Sequence, residues 1–151
     1  MSVSVKVNWC EGLRLNAETS DGRAIELNST QQMRSAFTPM ELFLVALAGC
    51  TAMDVIWTLE RQRQKINKLE LFARGVRREE DPRYYETIEL EYKLEGENLQ
   101  KNALERAIRL SQEKYCSVKA MIKDSVKVNV TFSISGGEES VSYTHLRAHE
   151  T

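Results

Sequence analysis

Two cysteines in this chain stand in surroundings that suit sulfur chemistry. Cys50 sits in Ala46-Leu-Ala-Gly-Cys-Thr-Ala52, where small neighbours let a second backbone or a small substrate approach. The competing reading of Cys50 is a packing residue, because a free cysteine in a core behaves as a small hydrophobe. Cys116 lies in Lys114-Tyr-Cys-Ser-Val-Lys119, just past one helical pattern and at the mouth of a short second one. A helix N-terminus and two nearby lysines favour a thiolate. One cysteine inside a helix and one at a helix mouth suit an attacking and resolving pair. Cys10, beside Trp9, is given no role.

Other chemistries find little support. Both histidines, His145 and His149, fall in the last eleven residues, Val141-Ser-Tyr-Thr-His-Leu-Arg-Ala-His-Glu-Thr151. That segment looks like translated sequencing adapter and follows a flexible polar linker, residues 136–140. Residues 1–135 are therefore read as the domain. Without the tail no histidine remains, so a Ser-His or Cys-His arrangement is excluded and too few soft ligands are left for a zinc site. No metal or other cofactor is expected.

The 151 residues suffice for one domain of ordinary size. With 21 Lys plus Arg against 22 Asp plus Glu, the charge is balanced, which argues against nucleic acid or an anionic membrane as partner. Three cysteines without a visible secretory signal point to the cytoplasm, where they stay thiols. The most apolar run, from Leu42 to Leu59, carries Asp54 and reads as a buried helix too short and too interrupted to span a bilayer.

The elements that must position the two thiols are legible in outline. Strands are predicted over residues 2–9, 13–18 and 23–27, with turns at Glu11-Gly12 and Asp21-Gly22. Val3, Val5, Val7 and Trp9 share one face of the first. Thr38-Pro39-Met40-Glu41 opens a helix with a hydroxyl cap, proline at the first helical position and glutamate three residues after the cap. That helix should run to about Gln64, apolar on nearly every side, and so lie at the centre of the core. Two more strands, residues 68–76 and 84–94, precede an amphipathic helix opening at Gly96 or Asn98. A last strand covers residues 125–134. The fold class is α+β, antiparallel strands around one long buried helix.

Thr38-Pro-Met-Glu-Leu-Phe-Leu-Val-Ala-Leu-Ala-Gly-Cys-Thr-Ala-Met-Asp54 resembles the first signature of the OsmC/Ohr family, and Tyr115-Cys-Ser-Val118 its second cysteine motif. The resemblance covers residues 2–134 and is nearest to the general OsmC-like branch. It implies an intertwined homodimer with sites at the subunit interface. It also implies a thiol peroxidase reducing organic hydroperoxides, and hydrogen peroxide more weakly. In such an enzyme Cys50 becomes a sulfenic acid, Cys116 closes a disulfide, and an external dithiol restores both. The alternative within the same fold is a binding or housekeeping protein with little turnover.

The chain departs from that pattern at one informative place. The family's peroxidases carry a glutamate ten residues before the helix cysteine, holding an active-site arginine; here Met40 stands in that position. Glu41 falls on the opposite side of the helix from Cys50, and its capping role explains it. Arg34, in the segment leading into the helix, is the first choice for the cation that tunes Cys50, with Arg14 and Arg23 as alternatives. Asp54, one turn beyond Cys50, would raise the thiol pKa if unpaired and could position an arginine if paired. Ser117 stands where the peroxidases commonly have proline.

Overall fold

The strongest local instruction in the sequence is obeyed to the atom. The Glu41 N–H donates to Thr38 Oγ1 at 3.1 Å, and the Thr38 N–H donates to a Glu41 carboxylate oxygen at 2.9 Å. Two of the orphan donors at the helix start are thus satisfied reciprocally. The computed structural model describes residues 1–29, 36–136 and 139–147, with side chains up to residue 135. Arg34 lies outside the described residues. The chain divides into two units, Met1–Phe43 and Leu44–Thr151.

The first unit is a meander of β1 (Val5–Glu11), β2 (Arg14–Thr19) and β3 (Ala24–Asn28), all antiparallel. Its turns use glycine where the backbone turns left-handed, at Gly12 (φ 53°) and Gly22 (φ 91°), a region closed to most side chains. The alternating apolar face read on β1 exists, but Val5, Val7 and Trp9 are exposed in this chain.

Helix α1 (Pro39–Arg61) crosses from the first unit into the second. It stops short of Gln64, with Arg63 in the left-handed conformation (φ 58°) that commonly closes helices. The sequence suggested burial on nearly all sides, yet burial is one-sided. Leu47, Thr51, Val55, Thr58 and Leu59 form the buried stripe, whereas Val45, Met53 and Trp57 are exposed. Residues 45 and 47 differ by about 200° around a helix, so these stripes lie on opposite faces. The run is also longer than it looked. By length and composition α1 suffices to cross a membrane, although its buried stripe is that of a helix packed within a protein.

The second unit holds a four-stranded sheet in the order β4 (Lys65–Arg77), β5 (Tyr85–Glu97), β6 (Lys127–Gly136), β7 (Glu139–Arg147). Strand β7 lies in the segment that the sequence reading sets apart from the domain. Not every pairing is antiparallel, as the strand periodicity had suggested. β5 and β6 run parallel, with Ile88 opposite Val128 and Tyr92 opposite Phe132. Parallel neighbours need a long crossover. Here it is α2 (Lys101–Leu110), a π turn (Ser111–Tyr115) and α3 (Ser117–Ala120). The core consists of Ile88, Leu90, Tyr92 and Leu94 of β5, the alternate residues of β6 from Val128 to Ile134, and Leu104, Ala107 and Ile108 of α2. Glu89, Glu91 and Lys93 point to the other face, as the period-two pattern requires.

Gly96 ends this alternation against the main chain. A β-carbon there would collide with the carbonyl oxygen of Lys65 and crowd Leu99. Because a backbone atom cannot swing aside, Gly96→Ala is expected to destabilise the protein by about 1–3 kcal/mol, the usual cost of overpacking. Urea denaturation of the variant checks this, and an unchanged midpoint would contradict the close approach of β4 and β5.

Candidate dithiol site

The helix and the crossover each deliver one thiol to the same place. Cys50 projects from the flank of the buried stripe of α1, half-buried, with Asp54 one turn on; Cys116 follows the π turn and is 3% exposed. The two Sγ atoms and a carboxylate oxygen of Asp54 all lie within 4.8 Å of one another. Both sulfurs are free thiols.

The local backbone explains how Cys116 arrives there. The Cys116 N–H reaches back five residues to the Ser111 carbonyl at 2.8 Å, the wide bond of a π turn, a device found often at functional sites. Cys116 then caps α3, its sulfur accepting the Lys119 N–H at 3.3 Å. The turn is tied to α1 in two places. Ser111 Oγ donates to Asp54 Oδ2 at 2.9 Å. One turn further on, Tyr115 meets Trp57 edge to face with ring centroids 6.2 Å apart.

Electrostatics in this pocket differ from the sequence expectation. Burial pushes the Cys116 thiol well above the ordinary range. The Lys119 N–H opposes that, and the neighbouring Cys50 and Asp54 add to it. The helix mouth therefore does not prevail, because α3 has one turn and the sulfur is desolvated. Of the two lysines flanking Cys116, Lys114 lies over the Tyr115 ring. Lys119 is buried, donates through Nζ to the Gln112 carbonyl at 3.4 Å, and is shifted downward by desolvation.

Neither arginine described among the candidates stands free. Arg14 contacts Glu26 at 3.2 Å and Glu11 at 3.5 Å, and Arg23 contacts Asp21 at 3.0 Å. Among the described residues Asp54 makes no ion pair, and its carboxylate accepts from the Ser111 hydroxyl. Two members of the site escaped the sequence reading. Ser111 and Tyr92 stand in ordinary amphipathic patterns, and only the fold brings them to the site. The Tyr92 ring is fully buried in β5, with its hydroxyl near Thr51, Cys50, Asp54 and Cys116.

Asp54 supplies a pH test. Burial raises its pKa above the usual carboxylate value and the Ser111 hydrogen bond only partly offsets this. The folded protein thus holds that proton more tightly than the unfolded chain. Stability is complete below the unfolded pKa, about 3.9, and is lost as pH rises through the folded value. In metal-free buffer Asp54→Asn should match the wild type near pH 3 and exceed it in urea resistance near pH 7. A less stable variant at neutral pH would mean that a cation partners Asp54.

Comparison with known proteins places the chain in a family. The family model described as OsmC-like protein matches residues 31–131. The chain is 34% identical over 132 residues to Protein YhfA of Escherichia coli strain K12, covering 87% of this chain and 98% of that protein. A hypothetical protein from Aquifex aeolicus VF5 has a similar solved structure, with TM-score 0.82 and 33% identity over 91% of this chain and 99% of that one. An organic hydroperoxide resistance protein OsmC from Legionella pneumophila shares the fold, with TM-score 0.63 at 17% identity over 89% and 97% of the two chains. Since the matched span runs through α1 and the crossover and encloses both thiols, this chain belongs to the OsmC-like family.

Proposed function

We propose that the protein is a cysteine-based peroxidase of organic hydroperoxides, with Cys50 as the peroxide-reducing thiol and Cys116 as the resolving one. The observation that carries this reading is the approach of the two sulfurs, separated by 66 residues of sequence, to within 4.8 Å in one desolvated pocket. In the reaction, the Cys50 thiolate attacks the outer peroxide oxygen and the O–O bond breaks. The departing alkoxide takes a proton to become the alcohol, which leaves Cys50 as sulfenic acid. The Cys116 sulfur then attacks Cys50 Sγ, hydroxide leaves with the thiol proton as water, and a disulfide remains. An external dithiol reduces it by two exchange steps. The half-buried Cys50 and buried Cys116 suit this order, since the more accessible sulfur meets the substrate first.

A thiolate in such a pocket needs a positive partner. Arg34 remains our proposed cation, supported by the engagement of Arg14 and Arg23 with carboxylates of their own unit. One observation favours a second reading, a binding protein with little turnover: among the described residues no arginine contacts the thiols, and Cys116 is shifted away from ionisation. Stopped-flow oxidation of the reduced protein by an alkyl hydroperoxide separates the two. Cys50→Ser should abolish oxidation, Cys116→Ser should halt after one equivalent as a trappable sulfenic acid, and Arg34→Met should slow the first step at least tenfold near neutral pH. Wild-type oxidation no faster than that of free cysteine would favour the binding protein.

We also propose a homodimer working in a reducing, cytoplasmic setting. Val45, Met53 and Trp57 are 49%, 72% and 53% exposed on one face of α1, spaced at multiples of four residues. Such an apolar stripe calls for a cover, and a symmetric second copy supplies one. Light scattering at low micromolar concentration should return the dimer mass; a stable monomer would leave the stripe without its proposed partner.

A further inference from the structure

Two thiols and a carboxylate within 4.8 Å of one another make a set of donors as well as a redox pair. Around a tetrahedral zinc-class ion, with metal–sulfur bonds near 2.3 Å and metal–oxygen bonds near 2.0–2.2 Å, such donors stand roughly 3.5–3.8 Å apart. Closing the present triangle to that size takes about 1 Å of side-chain movement. That lies within the reach of rotations about the Cys and Asp side-chain bonds.

Four features of the surroundings bear on this. The Asp54 carboxylate makes no ion pair among the described residues, and its pKa is shifted only by burial and by the Ser111 hydroxyl. The Ser111 hydroxyl, which donates to it, holds it in orientation as supporting groups hold metal-binding carboxylates. The Tyr92 hydroxyl, fully buried, has no hydrogen bond of ordinary geometry among the described residues. The nearby Thr51 hydroxyl gives its proton to the Ala48 carbonyl. On Cys116 the Lys119 N–H already points at the sulfur, an arrangement that stabilises a thiolate whether it is free or bound to metal.

We propose that the reduced protein binds one zinc-class divalent cation through Sγ of Cys50, Sγ of Cys116 and a carboxylate oxygen of Asp54. The fourth position is left to solvent or a small ligand. Both thiols ionise on binding and release their two protons to solvent, so the site converts from one negative charge with two neutral thiols to a net charge of minus one around the ion. Oxidation of the pair to a disulfide removes both thiolates, and the ion must leave. Metal and peroxide therefore compete for the same two sulfurs, a regulatory consequence that rests on the peroxidase reading; the binding itself does not.

The test uses the full chain, reduced and free of metal, titrated with zinc chloride against a chromophoric chelator. Cobalt(II) chloride serves as the optical probe. The expected result is one ion per chain, with sulfur-to-cobalt charge-transfer absorption and tetrahedral cobalt bands. Binding should be at least tenfold weaker in Asp54→Asn and in Cys50→Ser/Cys116→Ser. The His145→Ala/His149→Ala variant should bind as the wild type does. Wild-type protein oxidised to the disulfide should lose the ion, a comparison that requires no substitution and so no assumption about variant folding. The inference fails if the wild type binds no more tightly than the double cysteine variant. It fails equally if Asp54→Asn binds unchanged or if the histidine substitutions abolish binding. Equimolar zinc should also slow peroxide oxidation of the thiols at least tenfold, and excess chelator should restore it. Protein that binds zinc but reduces no peroxide refutes the peroxidase alone; protein that reduces peroxide and ignores zinc refutes this inference alone.

Discussion

The site depends on one hydrogen bond that spans 57 residues of sequence, from the Ser111 hydroxyl to the Asp54 carboxylate. A carboxylate half-withdrawn from water must be answered by a donor or a cation, and the donor nearest at hand sits at the first residue of the π turn. This contact fixes the turn against α1 at the level of Asp54. Cys50 is one helical turn away on one side of that contact, and Cys116 is one wide turn away on the other. The approach of the two sulfurs is thus a geometric consequence of where Asp54 is satisfied. The Trp57–Tyr115 contact continues the seam by another turn, so the crossover is held at two points along the helix.

A pocket built this way carries a conflict that shapes its chemistry. The same desolvation that orients Asp54 and excludes water opposes ionisation of Cys116. Against it stands one backbone N–H, from Lys119, offered by the short helix that Cys116 caps. A resolving thiol tolerates this better than an attacking one. Its reaction is intramolecular, and proximity compensates for a small thiolate fraction. An attacking thiol must meet a dilute substrate and cannot use that compensation, which is why the proposed peroxidase needs a cation at Cys50.

How much of this was legible depended on whether the information was local. Thr38, Pro39 and Glu41 write the start of α1 within four residues, and the capping box forms as read. The period-two pattern of β5 and β6 fixed their inward faces for the same reason, since each residue's orientation follows from its neighbour's. Pairing direction is not local. β5 and β6 alternate alike whether parallel or antiparallel, and only the crossover between them decides. The two cysteines could be singled out from their neighbours' size and charge, and the family resemblance joined them. Ser111 and Tyr92 could not, because each sits in a run that reads as routine amphipathic packing. The upward shift of Cys116 was missed because a helix mouth is visible in sequence, whereas the depth at which it is buried is not.

The two faces of α1 make a final point about what an apolar sequence encodes. A helix apolar all round must be covered all round, and among the described residues the Leu47–Thr51–Val55–Leu59 side is the covered one. The opposite stripe of Val45, Met53 and Trp57 would be a liability on a monomer. Cys50 and Asp54 lie between the stripes, on the helix flank, so they are neither sealed in the core nor placed on the exposed crest. That position makes Cys50 half-accessible while Cys116 is enclosed. Any surface that covers the second stripe then also forms a wall of the entrance to Cys50. The exposed apolar stripe that the proposed partner would cover and the thiol that the proposed chemistry would shelter meet, on this helix, in adjacent residues.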